Sequence, residues 1–342
     1  MPLINYIGNR VETLGGDIRF GIQRGTLPNI TASVTSSCIN YEDTGFISMS
    51  GITGGRGPEY NYSLFDVSAS AFITQSTAIS SALISNLSNS TYSLNISNEG
   101  IFAYTQSIVV SCPPPPPLSF DYIIVGGGNA GRGSGIGGSA GGVVSGSAVT
   151  MSYNTSIAIV VGAGGTSSGG TPITNAASSS MSGSSFSFIG AGGAVGGNSG
   201  GPQYFDEGLS GPNSNGGGAG SSKDGNSGVL NQNGDGGSGS VWVNGIYYAG
   251  GGGGTGGSPN PVNPGYPGLG GGGSAQSGYT LNGVNGLGGG AAGSGTAGGS
   301  GSVIIRYSTG SVRPAFGGTV TESGGYIYHT FTGSAEFRYA KS

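Results

Sequence analysis

The sequence predicts an all-β chain: an N-terminal β-sandwich, then a glycine-rich domain in which β-strands anchor polyglycine-II segments. Three observations point there. Short alternating apolar runs separated by turn residues fill residues 27–112. A five-proline run, Pro113 to Pro117, follows as a stiff polyproline II spacer. Beyond it the composition changes abruptly, with 61 of the 78 glycines in residues 126–301. The expected organisation is a segment 1–26 for attachment or assembly, a sandwich over 27–112, a linker over 113–118 and a glycine-rich domain over 119–342.

In the first domain the strand signals are Phe46 to Met49, Ser63 to Thr74, Thr91 to Ile96 and Ile101 to Val110. Gly54-Gly55, Gly57-Pro58 and Asn98-Glu99-Gly100 punctuate them. Some 85 residues of short strands at this spacing predict a seven-strand sandwich. Ahead of it, Ile4 to Ile7 and Ile18 to Ile22 flank a Gly15-Gly16 turn. That pattern reads as a hairpin able to add strands to a neighbour.

In the second domain, Tyr122 to Val125, Val143 to Met151, Ile157 to Val161, Phe186 to Ile189, Val241 to Tyr248 and Val303 to Tyr307 interrupt the glycine. They are rich in β-branched and aromatic residues and end at Gly, which is strand-and-turn chemistry. A disordered linker has no use for such runs. Collagen is excluded because Gly126, Gly127, Gly128, Gly131, Gly133 and Gly135 break the strict three-residue repeat. Tracts such as Gly250 to Gly254 bury no side chain, but without a Cβ their backbones approach closely enough to pair. Ordering glycine is entropically expensive, so the strands must supply an anchoring core.

Composition closes off several functions. Lys plus Arg is 10 and the net charge is -4, which leaves no basic footprint for nucleic acid. One His and two Cys cannot build a four-ligand zinc site, so no metal is expected. No apolar run approaches the roughly 18 residues of a membrane span, so no insertion is expected. Arg10, Glu12 and Asp17 near the start, without an apolar stretch, predict a chain made without a secretory signal.

The enzyme-like motifs fail on their mechanics. Gly126-Gly-Gly128-Asn-Ala-Gly131 after an apolar strand matches a dinucleotide fingerprint. The stretch that should open a helix, Arg132 to Gly142, is too glycine-rich to be helical, and after Asp121 no acidic residue occurs before Asp206. No cofactor is therefore expected. Gly137-Gly-Ser139-Ala-Gly141 fits a nucleophile-elbow pattern, but the chain's sole His, His329, sits in an alternating strand and reads as half-exposed. The reading is non-enzymatic. Asp224-Gly-Asn and Asn233-Gly-Asp235 lack calcium-loop spacing and read as solvated turns.

Two resemblances sharpen this. In the front domain, Ser37-Cys38, Asp43-Thr-Gly45-Phe-Ile-Ser, Gly54-Gly55-Arg-Gly-Pro58, Tyr60-Asn-Tyr62 and Thr91-Tyr92 through Asn98-Glu-Gly100 resemble the Ig-like repeats of large adhesins from gliding bacteria. Such repeats often place a second Cys after the Asn-x-Gly turn, where Ile101 stands here. Cys112 is the alternative partner for Cys38, whereas assembly in a cytosol favours free thiols. In the second domain, Tyr122-Ile-Ile-Val-Gly-Gly-Gly, Gly138-Ser-Ala-Gly-Gly-Val-Val, Ile157-Ala-Ile-Val-Val-Gly-Ala-Gly-Gly165, Ala249 to Gly254, Gly299 to Tyr307 and Val320 to Phe331 resemble the glycine-rich domain of phage tail-fibre and tip-adhesin proteins.

The second resemblance implies a virion-surface structural protein, made in the host cytoplasm, whose loops meet a host-surface glycan or protein. Its other implied partners are virion structural proteins, held through residues 1–26, and copies of itself, since fibres are commonly trimers. Receptor-contact candidates are the isolated aromatics and their acid within the glycine tract: Tyr204, Phe205, Asp206, Tyr266 and Tyr279. Rival readings are a capsid-decorating or head-fibre protein without a specific receptor, a bacterial surface or matrix adhesin, and an ice-binding bundle.

Overall fold

The computed structural model describes residues 12–14, 17–19, 29–38, 44–55, 59–78, 80–98, 102–133, 135–168, 171–193, 206–211, 214–256, 263–274, 276, 281–293, 295–310 and 315–340. Among them every regular element is a β-strand. Two compact units, Met1–Pro115 and Pro116–Ser342, divide inside the proline run.

The front unit begins with a small hairpin, β1 (Glu12–Leu14) and β2 (Asp17–Arg19). Its body has seven strands: β3 (Thr31–Cys38), β4 (Thr44–Thr53), β5 (Tyr60–Asp66), β6 (Ala71–Ala78), β7 (Ala82–Ser88), β8 (Ser90–Asn98) and β9 (Phe102–Val110). They form a sheet ordered β3-β4-β7 and another ordered β6-β5-β8-β9. Ser63 to Thr74, expected as one strand, is a hairpin: β5 stops at Asp66, whose Oδ1 accepts from Ser68 N, Ala69 N and Ser90 Oγ. Strand alternation puts Ile47 and Met49, Leu64, Leu87, and Tyr92, Leu94 and Ile96 into one core between the sheets. Each such side chain contributes about 1.5–3 kcal/mol of apolar burial.

A disulfide joins Cys38, ending β3, to Cys112, just past β9, with Cα atoms 5.5 Å apart. It ties the first and last sandwich strands across a sequence separation of 74. Closing a loop of that length in the unfolded chain is worth about 4 kcal/mol on the chain-entropy account.

The second unit has β10 (Leu118–Val125), β11 (Val143–Met151), β12 (Thr155–Val160), β13 (Thr166–Ser168), β14 (Thr171–Thr174), β15 (Ser179–Gly183), β16 (Phe186–Gly190), β17 (Ser240–Val241), β18 (Tyr247–Tyr248), β19 (Ser302–Ser308), β20 (Thr319–Ser323), β21 (Tyr326–Phe331) and β22 (Ala335–Tyr339). Sheets ordered β11-β10-β19-β21-β20 and β16-β15-β12-β22 enclose a core of Phe120, Tyr122, Ile124, Ile157, Ile159, Met181, Val303, Ile305, Phe331 and Phe337. Leu118, expected in the linker, starts β10 and is buried, and the Pro116 carbonyl accepts from Tyr339 Oη at 3.0 Å.

On the opposite face of β10 and β19, Ile123, Val125 and Ile304 pack against Ala140, Trp242, Tyr248 and Ala249. Here the glycine segments begin, and their hydrogen bonds repeat every third residue. In 249–255, Gly250 and Gly253 donate to Gly270 and Gly273, Gly251 and Gly254 to Gly237 and Gly234, and Gly252 and Thr255 to Gly138 and Gly135, all at 2.7–3.0 Å. The same segment accepts from Gly218 and Ser221, from Gly265 and Gly268, and from Gly290. Three residues per turn is the polyproline II period, which points successive amides at three different neighbours. The segment is thus surrounded on all sides by backbone.

This explains the glycine. A Cβ on Gly252 would stand 1.7 Å from Ala291 O, and one on Gly251 2.0 Å from Gly218 O. Neither obstacle is a flexible side chain. Gly310, by contrast, has open space around its Cβ position. Gly252→Ala is therefore expected to cost at least about 1–3 kcal/mol, while Gly310→Ala stays within about 0.5 kcal/mol. Chemical denaturation of the two variants beside the parent checks this, and equal midpoints would refute the lattice account.

Candidate functional site

At the lattice margins, amides that run out of backbone partners are met by side chains. Asp224 Oδ1 and Ser227 Oγ accept from Asp206 N and Leu209 N at 2.7 and 3.1 Å. Asn282 and Asn285 Oδ1 accept from Ala297 N and Ser300 N, both at 3.0 Å. Both pairs keep the three-residue spacing. Asp235 Oδ1 accepts from Tyr266 N at 2.7 Å, and Asn233 Oδ1 from Asn215 N at 2.8 Å. The Asp224 and Asn233-Gly-Asp235 stretches, expected as solvated turns, are thus edge caps, and Asn233 is buried. They arise because a short Asx side chain ends in an acceptor placed like a backbone carbonyl.

Of the five receptor-contact candidates, Tyr204, Phe205 and Tyr279 lie outside the described residues. Asp206 is exposed and Tyr266 is 56% exposed. They are not adjacent: Gly225 N bonds Asp206 O, Asn226 N bonds Asp235 O, and Gly236 N bonds Tyr266 O, so two lattice segments intervene. Nearby, Glu207 holds Arg132 at 2.9 Å. Burial pushes the Glu207 carboxyl up, and the Arg132 charge pulls it back.

The enzyme-like motifs are absorbed by the fold. Gly126, Gly127 and Gly128 spend their N–H groups on Gly142, Ala177 and Gly299 carbonyls, so these amides are not turned to a phosphate. Ser139 of the G-x-S-x-G stretch is buried inside the lattice. His329 is not half-exposed but fully buried. Its Nδ1 is 2.7 Å from Gly317 O and its Nε2 3.1 Å from Tyr307 Oη, while Phe337 packs edge-on against the ring. The alternation was legible; that Phe337 and the Gly317 backbone would close over the face of β21 that carries His329 was not.

The sequence reading missed a groove. Val241 to Tyr248, expected as one strand, is a hairpin: β17 and β18 pair across a turn at Asn244-Gly245, with Gly245 at φ +77°. Asn-Gly between alternating apolar residues is a strong hairpin signal and could have found it. Trp242 and Tyr248 fold under, and Val241, Val243, Ile246 and Tyr247 stay exposed. Arg306 fastens the hairpin. Its guanidinium lies 4.1 Å from the Tyr326 ring centroid and 5.7 Å from that of Trp242, and it pairs with Asp121 at 3.0 Å. The hairpin and lattice cover β10 and β19 but stop short of β21 and β20. At that step lies an open groove of about 650 Å³, with Tyr328, Thr330, Thr321 and Ser323 in its floor and Asn244, Ile246, Asn285 and Leu287 in its wall.

The glycine-rich domain family matches residues 104–308, which is 60% of the chain. The chain belongs to the glycine-rich domain family. Comparison with curated proteins and with solved structures finds no match. The family span begins inside β9 of the front unit and ends with β19, whereas the folded glycine-rich unit runs on through β20, β21 and β22. Those last strands complete both sheets around the apolar core of the second unit, since β21 pairs with β19 and β22 with β12.

Burial holds the His329 imidazole below its usual value of 6.5, favouring the neutral ring in the folded state. The unfolded chain then binds the extra proton first. The contribution of His329 is complete above about pH 6.5 and declines as pH falls below it, by up to about 1.4 kcal/mol per unit. Denaturation between pH 7.5 and 5 should show that slope, and His329→Gln should flatten it. Parallel slopes in both proteins would refute the assignment.

Proposed function

We propose that this glycine-rich protein is a non-enzymatic phage virion component, a tail fibre or tip adhesin that projects from the particle and recognises the host surface. The observation that carries the reading is the three-period backbone lattice. Its interior holds glycine and small residues such as Ala219, Ala291, Ser139 and Asn129, so charged side chains are left to loop tips and margins. That separation suits a rigid support carrying changeable contacts. The front unit is read as an Ig-like repeat, a spacer or adhesion module. Its three-plus-four strand order supports this, as does Tyr92, whose Oη donates to Ser88 O at 2.9 Å across the corner into β8.

A second reading, a bacterial surface adhesin, is favoured by the Cys38–Cys112 disulfide, because such bonds persist in oxidising compartments. A virion protein oxidised after release accounts for the same bond.

Particles whose chain carries substituted side chains at Tyr204, Phe205, Asp206 and Tyr266, with the neighbouring glycines kept, should adsorb to an altered host range while the protein still assembles. Unchanged adsorption would overturn the receptor role. Recovery of the protein in the envelope of uninfected cells, and never on particles, would replace the virion reading with the second one.

A further inference from the structure

The groove beside the hairpin has a lining whose chemistry narrows what it can take. Strand pairing fixes which residues share the sheet face that carries it. Ile304 faces Thr330 and Arg306 faces Tyr328 between β19 and β21; Thr330 faces Thr319 and Tyr328 faces Thr321 between β21 and β20. All of these sit on the outer face of the sheet, opposite the core residues Val303, Ile305 and Phe331. Over β19 this face is roofed by Trp242 and Tyr248; over β21 and β20 it is open.

Among the described residues, every one that lines the groove is uncharged. Apolar surface comes from Ile246, Leu287 and the tyrosine rings, and hydroxyls come from Thr321, Ser323, Thr330 and Thr332. Asn285 adds an amide oriented by the bond from Ser300 N to its Oδ1. Tyr248 Oη is fixed by Asn244 Nδ2 at 2.8 Å, and Trp242 packs edge-on against Tyr328 at 6.4 Å. The rings are therefore held in place before any ligand arrives, which lowers the entropic cost of binding. A volume of about 650 Å³ lies within the range of small-ligand sites, roughly 300–1,000 Å³. An anion such as a phosphate would find no cation in this lining, and an ammonium no carboxylate. Hydroxyls and amides interleaved with ring and aliphatic faces match a molecule that alternates hydroxyls with C–H faces.

We propose that this groove binds a neutral oligosaccharide, packed on Tyr328 and the hairpin wall and hydrogen-bonded by the β20 and β21 hydroxyls. The proposal gives the adhesin reading a ligand class and a location, and it rests on that reading only for its biological role. The groove also lies away from the glycine-tract loop candidates Asp206 and Tyr266, none of which lines it.

The full chain can be tested against immobilised neutral hexose and N-acetylhexosamine oligosaccharides, with sialylated, sulfated and phosphorylated ones alongside. Binding confined to neutral glycans is expected, at micromolar to millimolar dissociation constants. The Thr321→Val/Thr330→Val double variant and Ile246→Asp should weaken it at least tenfold, and Leu83→Ala, on an exposed face of the front unit, should leave it unchanged. The chain has a single tryptophan, Trp242, beside the floor of the groove. Its fluorescence should shift on titrating the bound glycan into the unaltered protein, a readout independent of whether the variants fold. Absence of neutral-glycan binding, preference for charged glycans, or binding with neither a fluorescence change nor sensitivity to the groove variants would overturn the proposal. Adsorption that depends on Tyr266 in a protein that binds no glycan would end this inference and keep the adhesin reading. Glycan binding in the groove by a protein that never reaches a particle surface would do the reverse.

Discussion

The second unit depends on one interaction: the backbone hydrogen bond between glycine segments that lack any side chain to bury. Such a bond contributes about 0.5–1.5 kcal/mol net, while fixing one residue's backbone costs about 1–2 kcal/mol, and glycine is the most costly residue to order. A free bundle of these segments sits close to balance or below it. What tips it is the five-stranded sheet of the same unit. Ile123, Val125 and Ile304 give the lattice an apolar floor, and Ala140, Ala249, Trp242 and Tyr248 are the lattice-side residues that grip it. Deeper in, where the lattice meets only itself, glycine is joined by small residues such as the fully buried Ala219, Ala291 and Ala292.

The three-residue period has a second consequence. Each segment needs neighbours in three directions, so a marginal segment always has amides left over. In this chain Asp224, Ser227, Asn282 and Asn285 take up those amides at the same spacing. At these margins the lattice ends in polar side chains and not in raw backbone edges, which blunts the template that exposed strand edges offer to other chains. It also means that polar residues near the margins are constrained by the scaffold, and that free variation is left to the loops beyond them.

Much of this was legible in the sequence. The all-β class followed from β-branched runs that stop at glycine, and the core strands Ile157 to Val161 and Val303 to Tyr307 read directly from their apolar continuity. Ser179–Gly183 was not legible as a strand, because SSMSG has a single large apolar residue; Ala335–Tyr339 was missed although AEFRY alternates, with Phe337 and Tyr339 turned inward. They are strands because β12 lies between them and pairs with both. The hairpins at Asp66 and Asn244 were missed for a different reason: continuous β-propensity on both sides hid a turn that is set by a side-chain acceptor in one case and a positive φ in the other.

The groove was invisible for a topological reason. Residues 240–248, 285–287, 302–304 and 319–332 meet there only because the lattice returns to the sheet and then stops two strands short of its edge. The same step explains why its lining is uncharged. Arg306 and Asp121 are the charged groups of that sheet face that pair there, and both are taken up beneath the hairpin. Stacking of Arg306 between Tyr326 and Trp242 uses the cation to hold the wall, so the floor beyond it is left with hydroxyls and rings. A wall fixed by a charge that the groove itself does not present separates rigidity from ligand chemistry, as the glycine lattice does on a larger scale.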